Sequence, residues 1–117
     1  MGRLSTHVLD TARGKPAAGI AIRLFRLDGD LRHLLCETLT NADGRTDTAL
    51  LQGDALQVGS YEIVFAVGCY LRATGQVTGD RLFLDEVPIR FRVADAGQHY
   101  HVPLLLSPYG YSTYRGS

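Results

Sequence analysis

The residues best able to do chemistry in this chain are histidines near its two ends and an arginine, Arg45, that follows a turn between them. Of the four histidines, His99 and His101 stand two apart near the C-terminus, a spacing that puts both side chains on one face of a strand. His7 stands near the N-terminus between Thr6 and Val8. Imidazole is the usual acid or base near neutral pH, and it is also a good zinc ligand. The His-x-His pair therefore admits two readings, proton handling or a strand-borne metal pair. No Cys-x-x-Cys or His-Glu-x-x-His accompanies it to supply more ligands. His33 sits among charged and apolar neighbours and reads as a surface or structural histidine. His7, taken alone, fits a hydrogen-bonded, half-buried histidine better than a functional one.

Arg45 directly follows the turn Asn41-Ala42-Asp43-Gly44. On a free loop it would simply be solvated. Beside a pair of histidines it would instead anchor a carbonyl oxygen or a developing oxyanion. The chain ends in HYHVPLLLSPYGYSTYRGS, whereas an ordinary terminus frays into small, dispensable residues. Tyr114, Arg115 and Ser117 add hydrogen-bonding groups at that end. There is no Gly-x-Ser-x-Gly elbow, Gly-rich phosphate loop or dinucleotide fingerprint. The residues alone leave open a small-molecule pocket built from histidines and an arginine.

The elements that must position these groups are strands. Leu4 to Asp10 alternates, with Ser5, His7 and Leu9 on one face and Thr6 and Val8 on the other. Ile20 to Leu27 alternates again, and Asp28-Gly29-Asp30 is a hairpin signal leading into Leu31 to Thr40, whose leucines suit a partly buried strand. Tyr61 to Val67 is rich in β-branched and aromatic residues and gives the strongest strand signal. Tyr70 to Ala73, ended by Gly75, fits a short helix. Pro88 to Val93 alternates as one-sided burial requires. A hairpin turning at Ser107-Pro108-Tyr109-Gly110 closes the chain. About eight short strands with regularly spaced turns point to an all-β antiparallel sandwich or barrel, with residues 1–117 as a single domain and no internal repeat or linker.

Composition narrows the rest. At 117 residues the chain can bury roughly two-thirds of its unfolded surface. It is 45% hydrophobic and 21% charged with a formal net charge of zero, so nothing in the charge calls for nucleic acid or an anionic membrane. No apolar run approaches the roughly 20 residues of a membrane span. Cys36 and Cys69 each lie in apolar stretches and are expected as buried free thiols in a reducing compartment. With no basic-then-apolar leader ahead of the first strand, the expected location is cytoplasmic.

Four stretches together carry a resemblance: LSTHVLD followed by Gly14-Lys15-Pro16, the marker Asn-Ala-Asp-Gly-Arg ending at Arg45, the segment Val87 to Phe91, and the terminal HYHVPLLLSPYGYSTYRGS, whose Tyr-Arg-Gly-Ser ending is the most specific part. In this order they resemble the transthyretin-related 5-hydroxyisourate hydrolases across essentially the whole chain. The resemblance implies a transthyretin-like sandwich of two four-stranded antiparallel sheets with one short helix. It further implies a homotetramer, a dimer of dimers with sites in the channel between dimers. The activity implied is hydrolysis of 5-hydroxyisourate, the product of urate oxidation, with no metal or other cofactor. The site implied comprises His7, Arg45 and His101 as catalytic residues, with Tyr114, Arg115 and Ser117 joining His7 and Arg45 in holding substrate. His99 receives no defined role. Transthyretin itself suggests a competing reading, a carrier protein, but carriers lack the histidine at the position of His7 and the Tyr-Arg-Gly-Ser ending.

Overall fold

The computed structural model describes residues 1–116, so the expected substrate contact at Ser117 lies outside the described residues. The strands run β1 (Arg3–Asp10), β2 (Lys15–Pro16), β3 (Ala21–Asp28), β4 (Leu31–Leu39), β5 (Leu51–Gln52), β6 (Gly59–Phe65), β7 (Val87–Val93), β8 (His99–Ser107) and β9 (Gly110–Thr113). A helix, α1 (Val67–Ala73), follows β6. One sheet has the order β2-β1-β8-β9, with β5 also paired to β1, and the other has the order β4-β3-β6-β7.

The alternation read along the chain becomes the two faces of each sheet. Leu4, Val8, Leu104 and Leu106 of the first sheet meet Ile22, Leu24, Ile63 and Phe65 of the second, all fully buried in one core. Burying each such side chain contributes about 1.5–3 kcal/mol. Because the inward residues of β1 are Leu4, Thr6, Val8 and Asp10, its other set, Ser5, His7 and Leu9, stands on the outer face, half exposed. That outer face is where the site is built.

Several expectations need correction. The pairing is not wholly antiparallel: β1 and β8 run parallel. A parallel pair needs a long crossover connection, and here the entire second sheet lies between the two strands in sequence. The returning strand β4 is exposed rather than partly buried, with Leu31 at 60% and Leu39 at 60%. It is an edge strand bonded only to β3, and a register shift beside Leu24 and Phe25 leaves Leu35 without a partner, a β-bulge of the kind that breaks alternation. Finally, Cys69 is exposed and Cys36 only half-buried. The helix begins at Val67, earlier than expected, because Val67, Tyr70 and Leu71 form the stripe it buries. Cys69 falls on the opposite side of that stripe.

Candidate active site

The parallel register between β1 and β8 brings the two ends of the chain together. Arg3 pairs with His99, Ser5 with His101 and His7 with Pro103. His101 therefore stands beside Ser5 and one step diagonally from His7, all on the outer face of the first sheet. The ring of His101 is held at both edges. On the β1 side its Nδ1 lies 2.9 Å from Ser5 Oγ. On the other side the tail passes close by: the Gly116 N–H donates to the His101 carbonyl at 2.7 Å, and a side chain at Gly116 would bring its Cβ within 2.7 Å of His101 Cδ2. A glycine is what allows the tail to lie against the ring. With Nδ1 and Cδ2 both engaged, Nε2 is the nitrogen left to the open face.

Arg45 arrives by a turn that packs on β1. Asn41 Oδ1 accepts from the Asp43 N–H at 2.9 Å and the Arg45 N–H at 3.2 Å, and Asn41 N–H donates to the Arg45 carbonyl at 2.7 Å. Gly44 adopts φ +75 and its carbonyl accepts from the Val8 N–H at 2.8 Å. A Cβ there would sit 2.3 Å from the Val8 carbonyl oxygen, so the approach requires glycine both for conformation and for space. The result is a bridge pairing Arg45 with His7. His7 Nε2 lies 2.8 Å from the Asp43 carbonyl oxygen. A carbonyl can only accept, so Nε2 of His7 carries the proton and Nδ1 is its other functional atom.

The electrostatics of the group follow from this crowding. Burial lowers the pKa of His101 below its ordinary 6.5, and the positive charges of Arg45, His7 and Arg3 push it the same way, against hydrogen bonding to the Ser5 backbone, which raises it. His101 is therefore neutral at pH 7 and can accept a proton.

The structure brings His7, Arg45 and His101 together, but treats the tail residues separately. Thr113 pairs with Leu104 and Gly116 bridges His101; the same offset sets Tyr114 opposite Pro103, on the histidine face, where it is 60% exposed. Arg115 takes the alternate side. Its Nη2 donates to Gln98 Oε1 at 2.8 Å and to the His99 carbonyl at 3.2 Å, and its guanidinium stacks 4.4 Å from the centre of the Tyr100 ring. Arg115 thus fastens the tail to β8 rather than reaching toward the histidines. His99 is exposed at the start of β8, beside an open cleft of about 540 Å³ lined by Gly97, Gln98, His99, Arg115 and Gly116. Among the described residues no group of three or more His, Cys, Asp or Glu could hold a metal ion, so the His99–His101 pair finds no third ligand there. Sequence reasoning missed Ser5, Arg3 and Gly116 as neighbours of His101. Ser5 could have been found, since alternation already put it on the face of His7.

An open sheet face bearing a neutral histidine, a second histidine of fixed tautomer and a guanidinium can activate water, hold an oxygen and deliver a proton. Residues 4–116 match the HIUase/Transthyretin family. The chain is 64% identical over 116 residues to a protein of Mesorhizobium japonicum named 5-hydroxyisourate hydrolase, covering 99% of this chain and 93% of the relative. The solved structure of Klebsiella pneumoniae 5-hydroxyisourate hydrolase superposes with a TM-score of 0.82 at 33% identity, with both chains covered in full. Sea bream transthyretin in complex with thyroxine shares the fold, with a TM-score of 0.87 at 24% identity over 97% of this chain and 94% of that one.

Proposed function

The chain belongs to the HIUase/Transthyretin family, and from this and the geometry above we propose that it is a hydrolase opening the ring of 5-hydroxyisourate to 2-oxo-4-hydroxy-4-carboxy-5-ureidoimidazoline, a step of urate degradation towards allantoin. Residues 1–117 act as one transthyretin-like domain in the cytoplasm. The observation that carries the reading is the convergence of His7, Arg45 and His101 on one face, built from three of the four stretches that resemble the hydrolases. The carrier reading has only the shared fold in its favour.

The reaction adds water across a cyclic acyl–nitrogen bond. His101 accepts a proton from water through Nε2 as the oxygen attacks the carbonyl carbon. Arg45 holds the oxygen on which negative charge develops, with planar donors suited to a urate-like edge. The carbon–nitrogen bond then breaks, the carbon keeps the new hydroxyl as a carboxyl group, and the nitrogen leaves with a proton delivered through the histidine pair. His7, with Nε2 tied to Asp43, works through Nδ1. Tyr114 and the tail to Ser117 close over the planar ring, and Arg115 contributes by holding that tail in place.

A single chain leaves this face open, as the exposure of Arg45 and Tyr114 indicates. The enzyme is a homotetramer, a dimer of dimers, in which the histidine faces of opposed dimers enclose the substrate. The test is a panel of His7→Asn, Arg45→Gln and His101→Asn assayed on 5-hydroxyisourate. Each lowers kcat about 100-fold or more, on the scale of losing acid–base or oxyanion help, while the assembly mass stays that of four chains. Near-normal turnover in all three would overturn this site.

A further inference from the structure

Ser5 has no part in the site described by family likeness, yet its hydroxyl is the nearest hydrogen-bonding partner of the histidine on which the chemistry turns. Ser5 Oγ lies 2.9 Å from His101 Nδ1. The two residues are direct partners in the parallel register of β1 and β8, so the contact is built by backbone pairing and does not depend on a mobile side chain. Among the described residues, Ser5 Oγ has this as its hydrogen bond. We propose that Ser5 is a positioning residue that holds His101 as the Nδ1–H tautomer and thereby presents the lone pair of Nε2 to substrate.

Two features favour a bond in which the ring donates. Hydrogen bonding to the Ser5 backbone favours the protonated ring, which calls for an accepting oxygen on the Nδ1 side, where Ser5 Oγ lies 2.9 Å away. The Cδ2 edge lies on the Gly116 side, which leaves Nδ1 turned to Ser5 and Nε2 turned away from both. Nε2 is then bare and outward. This is the logic by which a third group orients a catalytic histidine, with a neutral hydroxyl in place of a carboxylate. A carboxylate would raise the basicity of His101 strongly; a hydroxyl fixes tautomer and angle while leaving the imidazole neutral at pH 7. The charged and titratable groups facing His101 are Arg3 and His7 from β1 and Arg45 from the loop, with His99 two positions earlier on β8. Arg45, His7 and Arg3 disfavour the imidazolium, and Ser5 is its local support.

The kinetic part of this inference rests on the hydrolase reading; the tautomer part does not, and the experiment separates them. Ser5→Ala and Ser5→Thr are prepared in the full chain alongside the unaltered protein. Nitrogen NMR of the histidine rings is recorded without substrate, and kcat and KM for 5-hydroxyisourate are measured across pH. In the unaltered protein His101 shows a protonated Nδ1 and a bare Nε2. In Ser5→Ala that preference is lost, kcat falls about 10–100-fold, the scale on which misplacing a reacting group acts, and KM changes little. The acid limb of the kcat profile also moves to lower pH, because the hydroxyl oxygen that accepts from Nδ1–H has gone, while the main chain stays. Ser5→Thr, which keeps the hydroxyl and suits a strand, restores the tautomer and most of the rate. A protonated Nε2 in the unaltered protein would overturn the proposal, as would a Ser5→Ala enzyme with unchanged kcat and acid limb. So would a Ser5→Thr enzyme as slow as Ser5→Ala. Should the chain fail to open 5-hydroxyisourate at all, the ring nitrogens still report whether Ser5 holds His101.

Discussion

At the scale of single residues, the site depends on close approaches as much as on reactive groups. Gly116 is the sharpest case. Its missing side chain lets the tail lie against His101, where a Cβ would fall 2.7 Å from Cδ2, closer than carbon atoms can pack. Gly116→Ala must therefore displace either the ring or the tail, and kcat is expected to fall about tenfold or more. The core lies elsewhere, so the thermal midpoint moves by no more than a few degrees. Steady-state kinetics and a melting curve on the same sample check this; an alanine variant with full activity would mean that the tail does not touch the working histidine. The titration of His101 gives a second residue-scale expectation. Its pKa is lowered from the ordinary 6.5 by burial first and then by Arg45, His7 and Arg3, and in the proposed mechanism it acts unprotonated. Activity therefore persists as pH falls past 6.5 and is lost only through the lowered value. Arg3→Gln removes one of the opposing charges and moves the acid limb of the kcat profile upward.

At the scale of elements, each sheet has a distinct task, one carrying the site and the other the scaffold behind it. The scaffold sheet contains an unusual fastening. Glu62 on β6 is 3% exposed and accepts from Arg32 on β4 and Arg90 on β7, each at 2.8 Å, while the Arg32 guanidinium covers the Phe25 ring of β3 at 4.3 Å. One carboxylate thus joins side chains from all four strands of the sheet. Burial pushes the Glu62 carboxyl up, but the bonds and charges of Arg90 and Arg32 outweigh this and hold it below its ordinary 4.5. A depressed folded-state pKa contributes stability that is present above the unfolded value and lost as pH falls through the folded one. With both guanidiniums substantially exposed to solvent, screening trims the gain, and Glu62→Gln is expected to cost about 1–2 kcal/mol at pH 7. Urea denaturation should show this gap closing as pH drops below 4.5, where Glu62 takes up its proton; a gap that persisted unchanged would mean that charge is not its source.

Elements also show what the sequence could reveal. Alternation has a period of two and no adjustable parameter, so the outward set Ser5, His7, Leu9 on β1 was legible in the letters. Legible too was the turn that delivers Arg45, because Asn, Asp and Gly each serve a known backbone need. Pairing was not. His101 and Ser5 are separated by 96 positions, and no local pattern says that β1 lies parallel to β8, so the partner of the working histidine stayed hidden. The leucines of β4 suggested burial, but neither the bulge at Leu35 nor the edge position is written in composition. Helix α1 starts at Val67 because Val67, Tyr70 and Leu71 share a stripe, a pattern that the preceding β-branched run masks.

At the scale of the molecule, the chain is a slab of 42 × 30 × 20 Å with its chemistry on a broad face and not in a cleft. Both ends of the chain meet on that face: β1 supplies His7 and Ser5, β8 supplies His101, and the tail bonds to the His101 main chain at Gly116. The proposed tetramer would enclose a planar substrate against such a face. The account stands or falls on the reaction itself. 5-Hydroxyisourate is generated with urate oxidase and its ultraviolet absorbance followed with and without the protein. The predicted result is a decay accelerated in proportion to protein concentration, with the ring-opened carboxylate as product. A decay no faster than the spontaneous one would contradict it.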